Sequence, residues 1–318
     1  MHTTESTTES VPSRRTVLAL GAGTALAALT PAAGRAYASS PGAGVSRRPA
    51  DISPQLRALE KEHAARLGVF ARDTATGATV LYRAHERFPM CSVSKAVAVG
   101  AVLRDLDHDG RFLAKRIRYT EALVKKSGYA PVTGKPENIA NGLTVAELCA
   151  AALGESDNAA ANLLLTQLGG PAAVTRFSRS IGDRTTRLDR WEPELNSAEP
   201  WRVTDTSSPG AIGTTVGRLV VGRVLTPGHR EKLTGWLTAN TTDSERFGKG
   251  LPADWILADK TGTGDYGVAN DVGVVWPPRR SPLLLSVLST KRDAQAPADD
   301  ALVARATALV AGALTATA

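Results

Sequence analysis

The sequence predicts an α/β fold of the α+β kind: an antiparallel sheet built from both ends of the chain, flanked by helices, with an all-α subdomain inserted into it. Three observations lead there. Strand-like runs stand near the front, Gly68 to Asp73 and Thr79 to Arg83, and again near the back, Trp255 to Thr263, Val268 to Trp276 and Leu283 to Thr290. Between them, from Ser92 to Asn240, apolar residues recur mostly with helical spacing. The last three strands follow one another with no crossover helix, which parallel pairing would require, so the sheet reads as antiparallel.

Each element has a local reason. Ser53 as N-cap and Pro54 at the first helical position open an amphipathic helix to Arg66. The two front strands are joined by a turn at Gly77. Ser92 to Leu106 is apolar nearly all round, the pattern of a helix buried on every side. Further helices are expected at Val145 to Leu153, Ala159 to Leu168, Thr214 to Leu225 and Gly228 to Asn240, and an alanine-rich helix from Asp299 to Leu314 closes the chain. No repeats or low-complexity tracts follow Ala50. One domain is therefore expected over 51–318, with its α/β part at about 51–88 and 241–318 and its all-α part at about 89–240.

Composition narrows the function. A chain of 318 residues with 42% hydrophobic content can bury a sizeable core. Its net charge of +7 raises nucleic-acid binding, but the basic residues come only in pairs, such as Arg47-Arg48, Lys125-Lys126 and Arg279-Arg280, interrupted by acids. That distribution fits a solvated basic surface better than a nucleic-acid footprint, and a mild attraction to an anionic cell envelope stays open.

The first 38 residues read as an export signal. Ser13-Arg14-Arg15-Thr16-Val17-Leu18 leads into an apolar stretch from Val17 to Leu29, and Ala36-Tyr37-Ala38 precedes Ser39. The paired arginines indicate the twin-arginine pathway. The stretch is shorter than the roughly 20 residues of a membrane-spanning helix, which favours cleavage over a retained anchor, and no cysteine near Ala38 offers a lipid attachment point. A Pro, Ser and Gly-rich tail at 39–50 is expected to be disordered. The mature protein is expected to be secreted, or held in the periplasm or cell envelope, without stable membrane association and as a monomer.

Cys91 and Cys149 read as two buried thiols, although an oxidising compartment would let them pair. His2, His63, His85, His108 and His229 are scattered, with no His-x-His or His-x-x-x-His pair, so neither a metal nor another cofactor is expected.

Chemistry concentrates in short motifs. Ser92-Val93-Ser94-Lys95 offers a hydroxyl nucleophile with an amine one helical turn away that could take its proton. A helix start at Ser92 would also leave its backbone N–H free to meet an oxyanion. Ser156-Asp157-Asn158 precedes a helix; Asp157 or Asn158 reads as an N-cap, while Ser156 could relay a proton and the Asn158 amide could orient a substrate amide. Lys260-Thr261-Gly262 lies in a strand, with Gly262 on the same face as Lys260, where a ligand backbone could approach closely. Each motif alone has an ordinary structural reading; the three in this order rarely arise by chance.

With Arg190-Trp191-Glu192-Pro193-Glu194-Leu195-Asn196 added, the chain from about Ser53 to Leu314 resembles a class A serine β-lactamase. The resemblance implies the β-lactamase/transpeptidase-like fold, small-molecule β-lactam substrates and hydrolysis through an acyl-serine. It carries Glu192 over as the residue that activates the deacylating water, Asn196 as its support, and Arg190 paired with Asp205 as the clamp of the Ω-loop. It implies a cis Glu192-Pro193 bond. It also implies that Lys260, Thr261 and Thr263 bind the substrate carboxylate, that the Thr263 N–H joins that of Ser92 in the oxyanion hole, that Arg246 is a supplementary cation, and that Tyr129 walls the entrance. For Tyr129 a structural role beside Pro131 is an equal reading. Whether Lys95 or Glu192 is the acylation base stays open.

The chain departs from the family at Val93-Ser94, at a slightly long Gly134 to Gly142 segment, and near Gly264, where the cysteine expected to pair with Cys91 in carbapenem-hydrolysing relatives is absent. Penicillins and cephalosporins are the expected substrates. A D,D-peptidase or penicillin-binding protein would share the serine machinery without needing the Glu192 signature, and a non-catalytic β-lactam receptor would need an attached signalling or anchoring segment.

Overall fold

The structure is a computed structural model that describes residues 49–316. The expected export signal and nearly all of the tail lie outside the described residues.

The expected antiparallel sheet is present, with five strands in the order Thr79–Tyr82, Arg66–Asp73, Leu283–Thr290, Val268–Trp276 and Ile256–Gly264. All four neighbouring pairs are antiparallel. The register sets Val69 opposite Val287, Val287 opposite Asp271, and Asp271 opposite Thr261, so one row runs across the sheet into the third motif. Both faces are buried, and period-two alternation sorts side chains between two cores. Leu283, Leu285 and Val287 pack with the terminal helices Ser53–Glu62 and Asp300–Thr315, while Leu284 and Leu288 join the larger core beneath the helical part.

The helical part is organised around Ser94–Asp105, in which every residue from Ser94 to Leu103 is buried. The helix begins two residues later than the sequence suggests. Cys91–Val93 forms a tight 3₁₀ turn ahead of it, which places Ser92 in that turn.

Other boundaries also shift for identifiable reasons. The first helix ends at Glu62, since Ala64 is left-handed at φ 46° and the following strand pairs from Arg66 onward. Its cap is Ile52; Ser53 makes no side-chain cap bond, and its N–H donates to Asp51 Oδ1 at 3.0 Å. The helix expected at Thr214 to Leu225 occupies Pro209–Val220, with Ser208 accepting from the Ala211 N–H and Pro209 at the first position, a start signal the apolar pattern alone does not reveal. The Ala172–Ser180 helix and shorter ones at Arg111–Ala114, Glu121–Ser127, Pro136–Asn141 and Phe247–Gly250 were not expected. Pro136–Asn141 occupies the segment noted as slightly long.

Candidate active site

Four pieces of chain meet at Ser92: the Cys91–Val93 turn, the Glu155–Asn158 corner, the 190–205 loop and the edge strand Ile256–Gly264. The turn is held from beneath. Asn270 donates to the carbonyls of Pro89 and Met90 at 2.9 and 3.1 Å, and the Met90 N–H donates to the Asp205 carbonyl at 2.9 Å. Cys91, directly before Ser92, takes a left-handed φ of 48°, an unfavourable conformation that these flanking bonds hold in place.

Gly262 explains the close packing here, and its role differs from the one expected. A Cβ at this position would lie 2.6 Å from the Met90 carbonyl oxygen and 3.3 Å from the Ser92 nitrogen. The backbone that approaches it closely is the chain's own nucleophile turn, not a ligand.

Lys95 is buried at 2% exposure. Its Nζ lies 2.7 Å from the Ser156 carbonyl, 2.6 Å from Asn158 Oδ1 and 3.1 Å from Glu192 Oε1, with Ser156 Oγ at 3.3 Å. The Ser156 carbonyl and Asn158 Oδ1 accept from this amine, which also stands within ion-pair distance of Glu192. Ser92 Oγ lies 3.4 Å from the same Glu192 oxygen. Glu192 is thus shared between the serine and the lysine, and Asn196 Nδ2 donates to its other oxygen.

The loop that carries Glu192 is clamped at several points. Arg190 Nε donates to Asp205 Oδ2 at 2.5 Å, and Asp205 Oδ1 accepts the N–H groups of Asp189 and Arg190 at 2.7 and 2.9 Å. The Glu192-Pro193 bond is cis. A residue that sequence reasoning missed, Asn162, holds Glu192 itself. Its Oδ1 accepts the Glu192 N–H at 3.0 Å, and its Nδ2 donates to the Glu192 carbonyl at 2.9 Å. Only its position one turn after Asn158 on the Asn158–Leu168 helix, facing the same way, could have drawn attention to it.

At the corner, Asp157 is the N-cap, accepting from the Ala160 N–H at 2.8 Å. It also takes the N–H groups of Val132 and Thr133, which fixes the loop bearing Tyr129. Asn158 Nδ2 donates to the Ser127 carbonyl at 3.1 Å. Tyr129 itself is 59% exposed.

On the edge strand, Lys260 is fully buried, and burial, reinforced by the nearby Lys95 charge, lowers its amine to about 7. Its Nζ donates to the Thr261 carbonyl at 3.1 Å. Thr261 Oγ1 lies 2.5 Å from Thr242 Oγ1. Arg246 is buried beside the strand, and its guanidinium is engaged within the chain: Nε to Asp300 Oδ1 at 2.7 Å, Nη1 to the carbonyls of Gly262 and Asn270 at 3.0 and 2.8 Å, and Nη2 to Thr263 Oγ1 at 2.7 Å. It therefore braces the strand and orients Thr263.

The two cysteines are unpaired and buried, and desolvation pushes both thiols well above the usual range. Among the described residues, no group of three His, Cys, Asp or Glu side chains could hold a metal ion.

Fold and site together define a serine hydrolase of the acyl-transfer type, with a buried lysine and a buried carboxylate converging on one hydroxyl. Residues 51–314 match the profile of the Beta-lactamase enzyme family. The chain is 67% identical to a β-lactamase of Kitasatospora aureofaciens over 97% of this chain and 99% of that protein, and 63% identical to one of Streptomyces lavendulae over 97% and 99%. It is 47% identical to a carbapenem-hydrolyzing β-lactamase KPC of Klebsiella oxytoca over 81% of this chain and 87% of that protein. The solved β-lactamase of Streptomyces albus G superimposes with a TM-score of 0.81 at 60% identity, covering 82% of this chain and 98% of that one. The chain belongs to the β-lactamase enzyme family, as a class A serine β-lactamase: an enzyme that hydrolyses β-lactams and so confers resistance to them.

Proposed function

We propose that hydrolysis proceeds through an acyl-Ser92 intermediate cleared by water activated at Glu192. The observation that carries this reading is the convergence of Ser92 Oγ and Lys95 Nζ on one oxygen of the buried Glu192 carboxylate. In the first half-reaction, Ser92 Oγ bonds to the lactam carbonyl carbon and its proton leaves through the Lys95–Glu192 pair. The ring C–N bond breaks, and Ser156 passes its proton to the departing nitrogen while the proton taken from Ser92 moves on through Lys95 to Ser156, which restores Ser156 and leaves Glu192 a carboxylate for the second half-reaction. In the second, a water adds to the ester carbonyl as Glu192 takes its proton. The bond to Ser92 breaks, and a proton returns to Oγ.

The N–H groups of Ser92 and Thr263 are assigned to the oxyanion. Asn158 is assigned to the substrate amide and Tyr129 to the entrance. Lys260 and Thr261 meet the substrate carboxylate, with Thr263 held by Arg246 and Gly262 giving the strand room against the nucleophile turn. Asn196 supports Glu192, and the Arg190–Asp205 pair supports its loop.

The substrates proposed are penicillins and cephalosporins. Carbapenems are left out because position 264, whose Cβ would fall 2.6 Å from Cys91 Sγ, is glycine. Residues 1–38 are proposed as a cleaved twin-arginine signal and 51–318 as one monomeric domain acting outside the cytoplasmic membrane. No helix among the described residues is long and apolar enough to cross a membrane.

The test is to mix purified protein with a penicillin and a chromogenic cephalosporin and to follow absorbance and protein mass together. Many turnovers with little adduct are expected. One lasting equivalent on Ser92 without turnover would mean a penicillin-binding protein or sensor and would overturn the role of Glu192.

A further inference from the structure

Away from Ser92, a cavity of about 470 Å³ opens between the front strands and the start of the Pro209–Val220 helix. Arg72 reaches it from the Arg66–Asp73 strand, His85 from the loop after Thr79–Tyr82, Arg184 from the turn after Ala172–Ser180, and Arg218 from the last turn of the Pro209–Val220 helix. None of the three arginines has a carboxylate within ion-pair distance, whereas Arg83, Arg104, Arg187 and Arg305 elsewhere on the surface each do. Arg218 only donates to the Ile181 carbonyl.

The single acid in the lining, Asp183, is buried and already committed. It accepts the N–H groups of Thr185 and Thr186 and the hydroxyls of Thr186 and Thr215 at 2.5–2.9 Å. The cavity thus draws three arginines without ion pairs from three separate elements, against the single negative charge of Asp183.

We propose that this cavity binds a compact polyvalent anion carrying phosphate groups. Planar guanidinium forks suit phosphate oxygens, and convergence from several directions matches a ligand that carries more than one charge. The volume admits more than a single phosphate. None of these residues belongs to the set around Ser92, so the proposal is independent of the hydrolytic reading.

The test is isothermal titration of the purified protein with tripolyphosphate at neutral pH and physiological salt. One-to-one binding with Kd below about 1 mM is expected. An Arg72→Gln/Arg184→Gln variant should bind at least roughly tenfold more weakly. Both residues are exposed and make no ion pair, so the variant should melt like the parent and hydrolyse penicillin at the same rate. Arg223→Gln/Arg292→Gln removes the same charge outside the cavity and should leave affinity unchanged.

A short poly(glycerol phosphate) that displaces tripolyphosphate would identify an envelope-type phosphodiester as the ligand. Tripolyphosphate binding without such displacement would identify a free oligophosphate; either supports the site. Absence of saturable binding, or equal weakening in both double variants, would overturn it.

Discussion

Replacing Asn162 with leucine, a side chain of similar volume, tests whether the active-site loop is held through the backbone of Glu192. The wild-type amide satisfies the Glu192 N–H at 3.0 Å and its carbonyl at 2.9 Å, both in a buried setting. Leaving a buried polar group without a partner costs about 1–3 kcal/mol, so two such losses set a range of about 2–6 kcal/mol. Because the Arg190–Asp205 pair and Asn196 remain, part of this should be relieved by local shifts of the loop, and about 3 kcal/mol is expected. For a domain of this size that corresponds to a melting temperature lower by roughly 6–12 °C.

The kinetic consequence should be selective. A misplaced carboxylate hurts the water-dependent half-reaction more than attack by Ser92, so deacylation should slow by about 10² while an acyl-enzyme builds up. Thermal melts and mass spectra taken seconds after mixing with a penicillin measure the two effects. A variant that melts within about 2 °C of the parent and deacylates normally would refute the clamp.

Three other outcomes follow from the same geometry. Glu192→Ala should still acylate at least in part but accumulate the Ser92 adduct, losing a factor of about 10² to 10⁴ in turnover; rapid turnover would contradict its role. Arg246→Ala would leave the Gly262 and Asn270 carbonyls without their donor and free Thr263, so KM for carboxylate-bearing substrates should rise at least roughly tenfold with the Ser92 adduct still forming, and unchanged kinetics would sink the bracing role. Because Lys260 sits near 7 and only its protonated form attracts an anion, kcat/KM should fall as pH rises above that value. Lys260→Arg, which stays charged, should remove that limb of the profile even if its absolute activity is lower.

Elements with a strong repeating pattern were legible in the sequence. Val268–Trp276 and Leu283–Thr290 end where their runs meet Pro, Gly or charge, since both faces of these strands are buried. Short helices such as Glu121–Ser127 and Phe247–Gly250 complete too few turns to show a period. The residues proposed to react stand in short motifs of fixed spacing, and the fold brings Ser92, Lys95, Ser156 and Glu192 together.

The residues that hold those groups were harder to find. Asn162 and Asn270 act through backbone groups distant in sequence, and an asparagine in a helix or strand gives no local sign of such a partner. Gly262 illustrates the reverse. Its need for an absent side chain was read correctly, but the occupant of that space is the Met90–Ser92 backbone, which only the tertiary structure supplies.

The charges beneath the edge strand explain why Lys260 can remain useful although buried. Asp259 precedes it and Asp271 lies opposite Thr261, both buried in the interior. Burial, and then the charge of Asp271, raises Asp259 well above the usual range; burial raises Asp271 to about 6. Asp259 Oδ2 accepts from the Asn240 amide and Asp271 Oδ2 from the Phe247 N–H, while Asp271 Oδ1 is buried with no hydrogen-bond partner among the described residues. Both carboxyls oppose the desolvation that drives Lys260 toward its neutral form, and neither forms a close ion pair with its amine. A substrate carboxylate arriving at the strand adds the missing anion and restores the cation, so productive binding above pH 7 should draw a proton into the site. Recognition of the anion and protonation of the lysine are in that sense one event, set by a carboxyl pair on the supporting strands.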